Sequence, residues 1–161
     1  MQLGLSELVR YTDEERSRWE MWFRENGPDL LRMPIAGRDA TVGALILHIF
    51  GPELRYVQRI AGDPVTEYRG LPSKTVEEVF GFGIETRRAL RQFFARAKPE
   101  DWDRQIDLHL AQGPQQATVR KLIGHVLIHE IRHWAQIARI MRERGFEPPG
   151  GHDLLMSSAL E

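Results

Sequence analysis

The sequence has 161 residues, 42% of them hydrophobic, enough for one domain with a real core and too few for a second full one. A formal net charge of −1, from 22 basic and 23 acidic residues, argues against a general nucleic-acid binder. The absence of cysteine excludes disulfides, thiolate metal sites and a cysteine nucleophile, and leaves imidazole and carboxylate as metal ligands.

The N-terminal residues lack a basic segment followed by an apolar run, and no stretch reaches the roughly 18 apolar residues of a membrane span. A cytoplasmic protein with no membrane partner is expected. From Leu5 to about Asn26, Leu5, Leu8, Val9, Trp19, Trp22 and Phe23 recur at helical spacing. Asp13, Glu14, Glu15, Arg16 and Arg18 are expected to cover the other side. Thr12 with Glu15 has the form of a capping box, and Ser6 is an equally good start, so one continuous helix is the simpler reading. Gly27-Pro28 ends it.

A second helix is predicted from Thr41, a fair N-cap, to Ile60, with Gly62 as its stop. His48 sits inside it, four residues before Pro52, which has no amide hydrogen to give to the carbonyl of His48. The bland reading of that histidine is a polar interruption in a core helix. A third helix starts at Ser73 or Thr75, where Thr75 and Glu78 match a capping box, and ends at Pro99. Gly81 and Gly83 in its middle are read as a point of close helix approach.

Asp103 to Leu110 alternates polar residues with Ile106, Leu108 and Leu110, and Gly113-Pro114 is read as the turn of a small hairpin that closes at Gln115 to Ala117. His109 is expected to face solvent. The last helix runs from Thr118 to Arg144 and stops at Gly145. The expectation is an all-α, up-and-down four-helix bundle with a small β-hairpin before the last helix. Residues 1–161 form its single domain, and residues 146–161 are a tail in which His152 and Asp153 are read as solvated.

The last helix carries His125, His129 and His133 at successive steps of four, which places the three imidazoles in a row along one face. Val126, Leu127, Ile128 and Ile131 between them suggest a buried face, and buried imidazoles need partners. Two histidines at i and i+4 are the usual helical presentation of metal ligands. A third ligand has to come from a facing helix, and His48 is the candidate, giving His48, His129 and His133 as the metal set. His125 is read as a pocket residue beside the site or as a core histidine bonded to backbone. Gln136, three residues after His133, can orient a ligand or pack against the next helix.

His129-Glu130-Ile131-Arg132-His133 also satisfies the zinc-protease string H-E-x-x-H, with Glu130 as its base. No third histidine follows at metzincin spacing and no clear sheet is present to hold a peptide. Glu130 is therefore read as a helix-surface charge or a group behind the ligands.

The second-helix histidine, the pattern H129-E-I-R-H133-W-A-Q136 and the closing R144-G145 resemble the DinB/YfiT-like superfamily over most of the chain. Trp134-Ala135 stands where that family often has Arg-Gly, which alters the pocket wall and leaves the ligands intact. The resemblance implies a four-helix bundle, often dimeric, whose histidines, here His48, His129 and His133, bind a divalent metal: zinc or nickel first, iron or manganese next. It also implies transfer of a low-molecular-weight thiol such as bacillithiol, mycothiol or glutathione to a small electrophile, or an isomerisation that uses such a thiol. A metal-dependent hydrolase of small esters or amides and a non-catalytic metal-binding dimer are the alternatives.

Overall fold

The computed structural model describes residues 4–110 and 113–160. Residues 1–3, 111–112 and 161 lie outside it, and with them the start of the N-terminal segment, the tip of the hairpin and the end of the tail. Four long helices carry the fold: α1 (Leu5–Asn26), α2 (Val42–Ala61), α3 (Val76–Arg96) and α4 (Val119–Glu143). The bundle packs α2 against both α3 and α4, with α1 against α4. Short 3₁₀ turns at Pro28–Arg32, Pro99–Asp103, Leu154–Met156 and Ser158–Leu160 fill the connections and the tail.

The helix ends follow local chemistry. Thr41, Thr75 and Thr118 each accept a hydrogen bond from the backbone N–H three residues on, and at Thr75 the Glu78 carboxylate returns the bond to complete the capping box. Gly62 closes α2 in the left-handed conformation, at φ 80°. α1 differs from expectation at its start: Gly4, not Ser6, is the N-cap, with its N–H on the Glu7 carboxylate. Thr12 caps nothing, because its hydroxyl donates back to the carbonyls of Leu8 and Val9, and the helix runs straight through it.

The hairpin pairs β1 (Gln105–Leu110) with β2 (Gly113–Thr118) in antiparallel register, Ile106 opposite Ala117 and Leu108 opposite Gln115. Gly113 and Pro114 lie within β2, opposite Leu110 and His109, and are not the turn. Ile106 and Leu108 are buried against the bundle, while His109 is exposed as expected.

The core has two apolar clusters. One gathers Trp19, Phe23, Ile49, Phe50, Phe80 and Trp134; the other gathers Val9, Val57, Leu90, Ile106, Val119 and Leu127. Along every helix a charged residue stands between the two sets: Arg16 on α1, Glu53 on α2, Arg87 on α3 and Glu130 on α4. Arg16 is expected from the sequence to be solvated and Glu130 to be a surface or ligand-supporting charge, yet all four side chains are buried. Arg16 grips Glu130 with two bonds, Nε to Oε1 at 2.8 Å and Nη2 to Oε2 at 2.7 Å, and reaches Glu53 at 2.9 Å. Arg87 reaches Glu130 at 3.0 Å and Glu53 at 3.3 Å, and donates to the Val9 carbonyl and the Thr12 hydroxyl. Burial opposes the charge on Arg16, but Glu130 and Glu53 overcome it and hold its pKa above the ordinary guanidinium value.

Of the two glycines in α3, only Gly83 marks a close approach: a Cβ there would stand 2.7 Å from the Phe50 ring, whereas one at Gly81 would meet open space. The tail folds back on α1. Trp22 Nε1 donates to the Glu147 carbonyl at 2.8 Å, Ser158 to Glu14, and Tyr11 to the His152 carbonyl. His152 is therefore not solvated: its ring stacks on Trp19 and its Nδ1–H donates to Glu15 at 2.6 Å. Asp153 is exposed and caps the Leu154–Met156 turn.

Candidate metal centre

Because α2 lies against α4, His48 is carried to the face of α4 that presents His129 and His133. The Nε2 atoms of His129 and His48 are 3.3 Å apart, those of His133 and His129 are 3.1 Å apart, and one ligand atom from each ring lies within 4.8 Å of the others. Three nitrogens at about 2.0–2.1 Å from a tetrahedral ion would be separated by about 3.3 Å, so the spacing suits such an ion.

The far side of each ring decides what its Nε2 offers. His133 Nδ1 stands 2.8 Å from the side-chain oxygen of Gln136, which only accepts, so the proton is on Nδ1 and the Nε2 lone pair is bare. His48 Nδ1 meets the hydroxyl of Tyr68 at 3.1 Å, and with the proton on Nδ1 the hydroxyl accepts and Nε2 is again free. His129 Nδ1 is buried without a partner. Lone pairs that converge in this way suit a cation placed among them, and on this observation the donor set fits a divalent metal.

Burial pushes the pKa of all three histidines down, and the neighbouring rings add to the effect at His48 and His129. His129 falls furthest, to about 3. The cations Arg69 and Arg38 act on His48, and Arg38 and Arg132 act on His133, where the Gln136 bond opposes them. The rings are therefore neutral near pH 7, the form in which imidazole binds a metal.

Tyr68 was not foreseen as part of the site. It lies in the α2–α3 connection, and its buried ring reaches His48 because Gly51, one turn further along α2, has no Cβ; an added one would sit 2.3 Å from the ring. A glycine inside a strong helix pattern was the available sign.

His125 is exposed, with its ring 5.7 Å from that of His129 and 6.0 Å from that of Tyr56, and it has no hydrogen-bond partner among the described residues. The core reading of His125 is thus overturned. It lines a cavity of about 360 Å³ shared with Tyr56 and the hairpin residues Leu108 and Gln115. Ile128 beside it is also exposed, so the face is half-buried rather than sealed. Glu130 turns away from the rings to Arg16 and Arg87, and Trp134 Nε1 donates to its Oε1 at 3.1 Å. A carboxylate so fully engaged cannot serve as a base at the histidines, and the zinc-protease reading of the string has no support.

The DinB superfamily profile matches residues 6–137 of the sequence. The chain belongs to the DinB superfamily. No curated protein matches it. Among solved structures, a DinB-like protein of Bacillus subtilis, YjoA, matches with a TM-score of 0.65 at 17% identity, covering 91% of this chain and 97% of that one. At that identity the likeness shows the DinB-type fold and nothing about activity. As a DinB-superfamily chain with three histidines placed in this way, the protein has a group able to hold a metal ion. No helix among the described residues is long and apolar enough to cross a membrane.

Proposed function

We propose that the protein is a divalent-metal-dependent enzyme in which His48, His129 and His133 hold the ion and a small electrophile is attacked by, or isomerised with, a low-molecular-weight thiol. The observation that carries this reading is the convergence of three Nε2 atoms with no carboxylate among them. When bound, an ion held by three neutral imidazoles keeps its Lewis acidity and has positions left for a thiol, water or substrate. Zinc or nickel suits the set first and iron next, while manganese, which favours oxygen ligands, suits it least.

The chain's own residues contribute positioning and protonation. Gln136 fixes the tautomer of His133, and the Tyr68 hydroxyl orients the His48 ring through its Nδ1. Burial keeps the rings free of protons, and the absence of cysteine requires that the thiol come from outside. The resemblance to thiol-using relatives supports the transferase or isomerase reading over a hydrolase, and a cytoplasmic homodimer acting on a small molecule completes it.

The test begins with protein purified without a histidine tag and elemental analysis of wild type, His48→Ala and His133→Ala. One metal per chain in the wild type and its loss in both variants is the expected result; wild-type stoichiometry in both variants would sink the site. A panel of thiols with a model electrophile then separates the reactions. Turnover that needs added thiol supports the transferase, whereas cleavage of an ester or amide in thiol-free buffer supports the hydrolase instead.

A further inference from the structure

The surroundings of the histidines are cationic, and one cation is also part of a cavity. The segment from Pro34 to Thr41 doubles back on itself: Pro34 bridges Thr41, and Arg38, at its tip, follows Gly37 at φ 73°. Arg144, at the end of α4, donates to the Pro34 carbonyl at 3.3 Å and ties this turn to the last helix. Between them lies a cavity of about 210 Å³ lined by Pro34, Ile35, Arg38, Gln136, Arg139 and Arg144. Gln136, on its wall, is the residue bonded to the outer nitrogen of His133, and through that side chain the cavity is linked to the centre. Glu143 is the carboxylate on its wall, and Arg139 pairs with it at 2.7 Å. Among the described residues neither Arg38 nor Arg69 nor Arg132 forms a side-chain ion pair, and the charge of Arg38 helps to lower the pKa of both His48 and His133.

The three imidazoles are neutral and Arg38 has no side-chain ion pair among the described residues, so a cation held by the histidines would add to positive charge already beside them. The geometry points to a carboxylate on the thiol, bound by Arg38 in the cavity beside Gln136 while the sulfur reaches the histidines. This rests on the function proposed above and narrows it to an anionic small molecule. A planar guanidinium matches a carboxylate with two parallel bonds, which an ammonium cannot do. At about 210 Å³ the cavity falls below the roughly 300–1,000 Å³ of sites for drug-sized ligands, which suits a few-carbon acid and not a peptide.

The experiment uses the cobalt(II)-loaded protein and follows the near-ultraviolet absorption that arises only when sulfur ligates cobalt. Three probes of similar size are titrated: 3-mercaptopropionate, 2-mercaptoethanol and cysteamine, which carry negative, no and positive charge. The expected order of affinity is that order, with the acid binding about tenfold more tightly than the neutral thiol. Arg38→Ala and Arg38→Glu should abolish the preference, Arg38→Lys should keep part of it, and Arg120→Ala, at the other end of α4, should leave it intact. Equal dissociation constants for the three probes, or a preference that survives Arg38→Ala, overturns the assignment while leaving the metal site standing. Failure to take up cobalt, or no sulfur band with any probe, removes the functional reading and this inference with it.

Discussion

Glu130 follows His129 directly on α4, yet the two side chains enter surroundings of opposite kinds. Glu130 joins Arg16, Glu53 and Arg87 in a layer where each charge faces an opposite one and the hydrogen bonds are made. His129 joins His48 and His133, where like lone pairs face each other and one buried nitrogen has no partner. The first set is complete within the chain, and the second is complete only with something added. That difference separates a polar set closed within the chain from one open to a ligand, which position alone does not do, since both lie within the helical bundle.

The largest expected effect comes from breaking the complete set. Glu130→Ala leaves Arg16 and Arg87 buried beside a single carboxylate, and should cost about 3–5 kcal/mol in a denaturant titration of the metal-free protein. His129→Ala should do the reverse. Metal affinity should fall by more than about a hundredfold, because even groups behind a ligand are worth about ten- to a hundredfold. The stability of the metal-free protein should move by less than about 1 kcal/mol. If His129→Ala unfolds the protein, or Glu130→Ala loses metal without losing stability, the division between the two sets is wrong.

Gln136→Ala sharpens the comparison from within the histidine set. Metal affinity should drop about tenfold as His133 loses its fixed tautomer, with little change in melting temperature. The smallest effect should be that of mild acid on metal retention. Three ordinary imidazoles would lose about several hundredfold in affinity between pH 7 and 5.5 through proton competition. Here the folded pKa values are depressed, His129 to about 3, so retention measured by equilibrium dialysis should fall far less over that range. The metal-free protein pays instead in stability. From pH about 6.5 down toward 3 the unfolded rings hold protons that the folded ones do not, so stability declines as pH falls through that window and is independent of these groups above it.

His129 and His133 could be paired from the sequence because both rings sit on one helix and the step of four needs no knowledge of the fold. His48 was legible by elimination, as the histidine on a facing buried helix. The hairpin could be read from its alternation, but not its turn, because Gly113 and Pro114 are as acceptable in an edge strand as in a bend. The charged layer could not be read. Arg16 and Glu130 are 114 residues apart, and each on its own looks like the solvated side of an amphipathic helix until four helices bring their charges together. The same holds for His152, whose partner Glu15 lies 137 residues earlier.

Gly51 gives packing a chemical consequence. Its missing side chain lets the Tyr68 ring rest on α2, and that ring is what touches the outer nitrogen of His48. A methyl group placed there would be a steric change by origin and an electronic one by result, since a displaced hydroxyl no longer bonds the outer nitrogen of His48. The character of the centre is thus governed partly by a residue with no functional group at all, and spectra of a metal-loaded Gly51→Ala protein would register a backbone position as though it were a ligand.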